Sequence, residues 1–234
     1  MGSERLPGKS LIEIEGAPLL QHVLLRAQAA ELVDQTVVAT SESQTDDPIA
    51  EFCGQQRVRC VRGSEEDVLS RYVKAAFESD AAIVVRITGD NPLTHPPIVD
   101  GLVSRMLVEP ALEYCFASNA PLGTACEALT YPALCRVDDM AETKEHREHV
   151  TLLIRERPEL FRVGEVVSDL GSPGLRLTVD TEEDLKLMRA LIKALGKPGE
   201  PVRVRDVIAY IDRNKELRGL NEHVKQRASG RPRI

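Results

Sequence analysis

The sequence predicts an α/β fold in which helices cover a mostly parallel sheet. Short β-branched runs alternate with longer segments whose apolar residues recur at helical spacing, which is typical of strands joined by helical crossovers. The 234 residues, 42% of them hydrophobic, suffice for one large domain with a substantial core. Glycine-containing polar turns follow several strand-like runs, at the edge where such sheets bind ligands.

The elements follow one another regularly through the first half of the chain. Residues 19–30 predict an amphipathic helix opened by Pro18, and the β-branched run at 36–40 predicts a buried strand. The pattern then predicts helices at 48–55, 68–78 and 97–107, and strands at 59–62, 82–88 and 114–117.

The second half is less regular. Residues 115–167 suggest short strands and a charged helix at 142–157, which we interpret as an insert that closes the site. Regular order returns with a strand at 176–179 and a helix at 182–195, for which Thr181 is a suitable N-cap. A helix at 204–214 precedes a polar tail, 215–234, predicted to be a mobile terminus. We predict one domain over residues 1–234.

Composition excludes several classes of protein. A net charge of −7 disfavours a general nucleic-acid-binding surface but permits local basic pockets for a nucleotide. The five cysteines include no C-x-x-C pair, which disfavours a disulfide framework or a zinc site. No apolar run approaches the ~20 residues of a membrane span, and no signal-peptide core is visible at the N-terminus. We expect a cytoplasmic protein without membrane partners.

Residues 2–9 have the composition of a phosphate-binding loop. Backbone N–H groups of the turn at Gly2 and Ser3 can face anionic oxygens, while Arg5 and Lys9 supply cations. The interval from Gly2 to the next glycine is one residue too long for a P-loop. Both cations could be solvated surface charges, but their place around the turn at Pro7 and Gly8 favours phosphate binding.

Two aspartates predict a metal site. Asp90 and Asp180 each follow an apolar strand-like run, and Mg²⁺ prefers a few hard oxygen ligands completed by phosphates and water. Residues 89–92 would also suit a plain turn, and Asp180 could simply precede an N-cap. His146 and His149 are three residues apart, whereas zinc-protease motifs need histidines four apart.

Five segments, in order, resemble one family. Residues 3–9 resemble the CTP-phosphate loop of cytidylyltransferases that activate sugar acids, such as the CMP-KDO and acylneuraminate synthetases. The strongest likeness is to the spore-coat polysaccharide cytidylyltransferase-like proteins. The other matching segments, which extend the resemblance over most of residues 1–195, are 61–72, 86–93, 147–151 and 177–185.

The resemblance implies a nucleotidyltransferase that forms a CMP-activated sugar acid, or a similar polar metabolite, from CTP with release of pyrophosphate. It also implies a homodimer built through residues 115–167. The implied catalytic residues are Arg5, Lys9, Asp90 and Asp180, and the two aspartates would hold Mg²⁺. The implied substrate-binding residues are Ser3, Arg62, Gly63, Ser64, Asp67 and Arg71 on the nucleotide side, and Glu127, Arg147 and His149 on the acceptor side. Arg71 could instead pair with Asp67, four residues earlier on a helix, and residues 145–149 could form a solvated helix face.

The chain departs from the family at its start. Family members carry a buried first strand before the phosphate loop, whereas this chain begins at Met1 inside that motif. We therefore expect either a start further upstream or a form that lacks this strand.

Two other classes of function remain open. A nucleotide-sugar glycosyltransferase would favour an Asp-x-Asp motif after an apolar strand, and the adjacent pairs at 46–47 and 138–139 do not fit that pattern. A scaffold protein could retain the fold without catalysis. Release of pyrophosphate from CTP separates these alternatives.

Overall fold

The computed structural model describes residues 6, 8–197 and 200–225 and confirms the α/β fold. The strands are β1 (Glu13–Ile14), β2 (Ala17–Pro18), β3 (Val37–Ser41), β4 (Arg59–Gly63), β5 (Ile83–Arg86), β6 (Tyr114–Ser118), β7 (Glu127–Thr130) and β8 (Val163–Val167). The helices are α1 (Leu19–Gln28), α2 (Asp47–Gln55), α3 (Val68–Glu78), α4 (Pro96–Val108), α5 (Tyr131–Met140), α6 (Lys144–Glu148), α7 (Leu152–Glu156), α8 (Glu182–Leu195), α9 (Val204–Arg213) and α10 (Lys215–Gly219).

The principal sheet has four strands in the order β5-β7-β6-β8. β7 is antiparallel to β5 and to β6, and β6 is parallel to β8, so three of the four strands run in one direction. β3 and β4 form a separate parallel pair, and β1 and β2 form a short antiparallel one. β7, from the predicted insert, thus lies inside the principal sheet.

No strand of the described residues pairs with both β3 and β5. Val37, Val38 and all of β5 are only half-buried. Whether a first strand belongs to this protein stays a prediction.

Side chains alternate between two cores on either side of the principal sheet. Cys115 and Ala128 pack into a core with α4, α8 and α9, whereas Tyr114 and Leu129 pack into a second core with α3, α5 and α7. This period of two is expected for a sheet that is covered on both faces. Burial on both faces fixes the register of β6 against β7 and hence the residues at the sheet edge.

The elements of the first half match the sequence pattern to within a few residues, but the predicted helix at 142–157 is wrong. Two short helices, α6 and α7, occupy this region, and Val150 between them has a φ of 43°. The left-handed backbone at this β-branched residue ends the helical hydrogen bonding. The break turns Thr151 into the interior, where it is fully buried.

The predicted strand at 176–179 is an extended segment with a single parallel bridge from Leu122 to Arg176. Val179 donates its N–H to the carbonyl of Asp90 at 2.8 Å, which fastens this segment beside the turn after β5. Thr181 caps α8 in a capping box with Asp184, as the sequence predicts.

Residues 215–225, which the sequence assigns to a tail, contain α10 and the buried Asn221. Residues 226–234 lie outside the described part of the chain. Across residues 6, 8–197 and 200–225, we find no helix with the length and apolarity that a bilayer crossing requires.

Candidate active site

The two predicted metal-binding aspartates meet at one lysine. Lys9 Nζ lies 2.7 Å from Asp90 Oδ2 and 2.8 Å from Asp180 Oδ1. Lys9 begins a 3₁₀ turn directly after Gly8, whose φ of 69° places it in the left-handed region that favours glycine. Asp90 lies in the turn after β5 and Asp180 directly before the N-cap of α8. The fold therefore brings together three residues that are separated by up to 171 positions.

This cluster is largely withdrawn from solvent. The Lys9, Asp90 and Asp180 side chains retain 18%, 21% and 13% of their exposure. Burial acts to lower the pKa of Lys9, but the Asp90 and Asp180 carboxylates outweigh burial, and the pKa is raised above 10.5. Lys9 is therefore a permanent cation at neutral pH.

Each aspartate uses its second oxygen for another donor. Thr88 Oγ1 donates to Asp90 Oδ1 at 2.6 Å and in turn accepts from Asn91 Nδ2 at 2.7 Å. Arg176 Nη2 donates to Asp180 Oδ2 at 3.1 Å. These bonds fix the rotation of both carboxylates, so that one oxygen of each faces the shared cation.

The donor set fits a hard divalent ion that is bound together with phosphate. Within residues 6, 8–197 and 200–225, no three His, Cys, Asp or Glu side chains converge as a metal cluster. Asp90 and Asp180 already share a cation in Lys9, which shows that the fold places their charges at one point. Mg²⁺ is commonly held by one or two carboxylates with phosphates and waters completing its shell.

A cavity of about 230 Å³ opens beside this cluster. Thr88 and Asn91, which orient Asp90, also form part of its wall. Its lining residues are Arg86, Thr88, Asn91, Tyr114, Phe116, Ala117, Ala125, Cys126, Glu127 and Arg155. The wall combines apolar surface with a few charged groups, as small-molecule sites do.

Glu127 organises the polar side of the cavity. Its Oε1 accepts from the Tyr114 hydroxyl at 2.6 Å, and its Oε2 accepts from Thr151 Oγ1 at 2.8 Å and from Arg86 Nη1 at 3.1 Å. Arg86 and Glu127 are directly paired across β5 and β7. Burial acts to raise the pKa of Glu127, but Arg86 and Arg155 outweigh burial and hold the pKa below 4.5.

The cavity wall has more positive than negative charge. It contains two arginines, Arg86 and Arg155, and a single carboxylate, Glu127. Arg86 Nε is buried and has no hydrogen-bond partner among the described residues. Burial, with Arg86 and Arg155 contributing, lowers the pKa of His149, so this neighbouring histidine is neutral at pH 7. The cavity therefore suits a ligand that carries an acid group together with hydroxyls.

The sequence interpretation missed these two arginines as binding residues. Arg86 ends the strand before the turn that holds Asp90, and that position was the available signal. Nothing in the sequence pattern indicated a binding role for Arg155. In the predicted continuous helix at 142–157, helical spacing alone would determine which way its side chain points. The break at Val150 determines where it points.

On the predicted nucleotide side, Arg62 and Gly63 build one loop. Arg62 donates to the carbonyls of Ser41 and Ser43 at 2.8 and 2.9 Å and pairs with Asp47 at 2.7 Å. A Cβ on Gly63 would lie 3.0 Å from Cγ of Arg71. Glycine at 63 therefore lets the Arg71 side chain lie against the end of β4.

Arg71 is half-buried beside this loop. Its Nε is buried and lacks a partner in the described part of the chain. Burial lowers its pKa, although Asp46, Asp67 and Glu65 act in the opposite direction. Ser64 is exposed at the adjoining turn.

Asp67 and Arg147, predicted on opposite sides of the site, contact each other. Asp67 Oδ1 caps α3 through the N–H of Ser70 at 2.9 Å, and its Oδ2 lies 3.4 Å from Arg147 Nη1. Arg147 also pairs with the carboxylate of Asp138 and donates to the Asp138 carbonyl at 2.8 Å. This arginine joins three helices and is not among the residues that line the cavity. Ser3 and Arg5 lie outside the described residues.

The fold and the site define an α/β nucleotidyltransferase, with a loop cation and paired carboxylates at the sheet edge. The chain belongs to the cytidylyltransferase family, since the family model matches residues 1–221. It is 34% identical over 223 residues to the spore coat polysaccharide biosynthesis protein SpsF of Bacillus subtilis, a match that covers 92% of each chain.

Two further comparisons support this assignment. The 3-deoxy-manno-octulosonate cytidylyltransferase of Geobacter metallireducens is 34% identical over 110 residues, 47% of this chain and 42% of that protein. The structure of a cytidylyltransferase from Leptospira borgpetersenii superposes with a TM-score of 0.88 and 28% identity, covering 97% of this chain and 95% of that one. The resemblance inferred from the five segments is thereby confirmed.

Proposed function

We propose that this protein transfers a cytidylyl group from CTP to a hydroxyl of a sugar acid, or of a similar acid-bearing metabolite, and releases pyrophosphate. The observation that carries this proposal is the convergence of Lys9, Asp90 and Asp180 beside a cavity with a cationic wall. The family supplies the cytidylyl chemistry. The positive charge of the cavity wall supports an acceptor that carries an acid group.

The reaction requires one bond to form and one to break at the α-phosphorus. The acceptor oxygen bonds to phosphorus as the bond to the pyrophosphate oxygen breaks, the hydroxyl proton passes to solvent, and negative charge grows on the leaving group. Catalysis of such transfers depends mainly on positioning and charge stabilisation. Lys9 stands on the loop that precedes α1, so its ammonium can neutralise phosphate charge while Asp90 and Asp180 hold the ion. When bound, Mg²⁺ would polarise the phosphate oxygens and offset the developing charge.

The cavity would hold the acceptor. Arg86 and Arg155 supply donors for an acid group, and charge-assisted bonds of this kind are about twice as strong as neutral ones. Glu127 fixes both arginines, since it accepts from Arg86 and lies 3.9 Å from Nε of Arg155. Thr88 and Asn91 place the acceptor side of the cavity next to Asp90, where the transfer would occur. The hydroxyl then lies close to the nucleotide phosphates.

The nucleotide would lie between the phosphate loop and the turn that follows β4. Arg62 and Gly63 shape this turn, and Arg71 supplies a half-buried cation next to it. Ser3, Arg5, Ser64 and Asp67 belong to the same proposed region, with Arg147 and His149 extending it towards the acceptor. A homodimer through residues 115–167 and a cytoplasmic location also stay predictions.

Pyrophosphate release tests the proposal. The purified chain is mixed with CTP, ATP, GTP or UTP, with Mg²⁺ or Mn²⁺, and with a panel of sugar acids and their uncharged counterparts. We expect release only with CTP, a divalent ion and an acid-bearing acceptor. Turnover of nucleotide sugars, supplied in a parallel assay without nucleoside triphosphate, would favour a glycosyltransferase, and nucleotide binding without turnover would favour a scaffold protein.

A further inference from the structure

Arg176 contacts the carboxylate of Asp180 on the side away from Lys9. Its Nη2 donates to Asp180 Oδ2 at 3.1 Å, on the opposite oxygen from the one that faces Lys9. Arg176 is 8% exposed and lies on the extended segment that enters α8. It does not line the cavity.

Arg176 is itself held rigidly by Asp184. Nε and Nη2 of Arg176 donate to the two carboxylate oxygens of Asp184, both at 2.8 Å, in a bidentate pair. Asp184 Oδ2 also accepts the backbone N–H groups of Asp180 and Thr181, at 3.0 and 3.1 Å. The same carboxylate thus fixes the backbone of Asp180 and the arginine that touches its side chain.

The end of the described chain completes this arrangement. Nδ2 of the buried Asn221 donates to Asp184 Oδ1 at 2.8 Å and to the carbonyl of Arg176 at 3.1 Å. Asn221 follows α10, 37 residues after Asp184. The segment after α9 is therefore connected to Asp180 through the side chains of Asn221 and Asp184.

We infer that Arg176 is a positioning residue, which with Asp184 and Asn221 restricts Asp180 to offering a single oxygen to the metal ion. The inference rests on the proposed function, because it assigns Asp180 to the ion. A carboxylate free to rotate can bind an ion through both oxygens, which moves the ion relative to the α-phosphate. Displacements of about 1 Å in such sites can cost on the order of 100-fold in rate. Arg176 therefore sets geometry, and its positive charge opposes tight binding of the ion.

The principal test variant carries Arg176→Met together with Asp184→Asn. The paired change removes both buried charges at once and leaves an amide that can accept the N–H groups at the start of α8. Removal of Arg176 alone would leave the buried Asp184 carboxylate without its counter-charge, which is strongly destabilising. Arg176→Lys and Asn221→Ala are milder changes for use if the paired variant does not fold. Arg189→Met, on the exposed side of α8, is the control.

Three measurements distinguish positioning from a structural role: kcat with KM for CTP, the affinity of the nucleotide-free protein for Mn²⁺ by electron paramagnetic resonance, and the spectrum of the bound Mn²⁺. For the paired variant we expect kcat to fall at least tenfold, KM for CTP to change less than twofold, and Mn²⁺ to bind as tightly as in the wild type or more tightly. Arg176→Lys should recover part of kcat. The Mn²⁺ spectrum should change in the paired variant and remain unchanged in Arg189→Met.

An unchanged kcat and spectrum would overturn the inference, as would a loss of Mn²⁺ affinity in proportion to the loss of kcat. The proposed function is tested separately by the wild-type protein. If the wild type releases no pyrophosphate from CTP, the Mn²⁺ affinity and spectrum still decide whether Arg176 orients Asp180.

Discussion

The ammonium of Lys9 lies 2.8 Å from Oδ1 of Asp180, although 171 residues separate them. The same ammonium lies 2.7 Å from Oδ2 of Asp90. Two carboxylates close enough to share one lysine would repel each other without a cation between them. Lys9 supplies that cation from the loop proposed to bind the nucleotide phosphates. In the proposed reaction, nucleotide and metal binding would therefore compete with these two ion pairs.

Replacement of Lys9 by Met should affect metal binding and turnover in opposite directions. Without the ammonium, the nucleotide-free protein should bind Mn²⁺ about 5- to 150-fold more tightly, which corresponds to typical coupling energies of about 1 to 3 kcal/mol. Turnover should fall by about 100-fold or more, because a transition-state cation is lost. Lys193→Met, exposed on α8, is the control. Weaker Mn²⁺ binding in Lys9→Met would contradict this competition.

Asp90→Asn and Asp180→Asn should each lower kcat by at least ~100-fold, since metal stabilisation of the transition state is worth several kcal/mol. The double variant should lose far less than the product of the single effects, because the two groups act as one unit. Relief of the repulsion between the two carboxylates would favour Asn at either position. The ion pairs with Lys9 outweigh that gain, and we expect each change to cost about 1 to 3 kcal/mol of stability. Asp212→Asn, at an exposed position on α9, is the control. Near-normal turnover in either single variant would reject the metal assignment.

The sequence predicted the Asp90–Asp180 pair because each residue follows an apolar run in an α/β pattern, and the ends of parallel strands share one edge. It also predicted the bounds of α3 and the capping box at Thr181, since these depend on local periodicity and capping. Such features are encoded within a few neighbouring residues. They can be inferred before any tertiary contact is known.

Features that depend on distant contacts were not predictable. The left-handed backbone at Val150 is accompanied by a hydrogen bond from Thr151 to Glu127, a contact across 24 residues. The polar residues after α9 resembled a tail, yet Asn221 is buried against Asp184. In both cases a tertiary hydrogen bond overrides the local pattern.

Arg155→Met should raise KM for the acceptor at least tenfold and leave KM for CTP nearly unchanged, because only the acceptor loses a charge-assisted contact. Arg157→Met is a matched control, since Arg157 lies two residues further on and forms an exposed pair with Glu159. Arg147→Ala tests the earlier assignment of that residue to the acceptor. A rise in acceptor KM for Arg147→Ala but not for Arg155→Met would move the acid-binding role from the cavity to α6.

Gly123→Ala should destabilise the protein by more than about 2 kcal/mol, through backbone strain and overpacking. Gly123 has a φ of 95°, and an added Cβ would lie 2.5 Å from the N of Thr178 and 2.6 Å from C of Leu177. The clash pushes on the segment that leads to Asp180, so turnover should fall as well. Gly54→Ala, in α2 with nothing within 4 Å of the added Cβ, should be neutral or stabilising. Equal melting temperatures for Gly123→Ala and wild type would contradict the close approach.

Glu127→Gln should alter stability in a pH-dependent way. The folded-state pKa of Glu127 is held below its ordinary value of 4.5: burial opposes ionisation, but Arg86 and Arg155 outweigh it. Ionised Glu127 therefore contributes stability that is fully present above about pH 4.5 and is lost as the pH falls through the folded value. Glutamine keeps a partner for Tyr114 and Thr151 but leaves Arg86 without its counter-charge, at a cost of about 1 to 3 kcal/mol at pH 7. The difference in melting temperature between wild type and Glu127→Gln should be largest at pH 7 and should shrink towards pH 4.

Glu66→Gln, at an exposed position, is the control. A difference that stays constant or grows on acidification would show that the Glu127 carboxylate does not hold the two arginines by its charge.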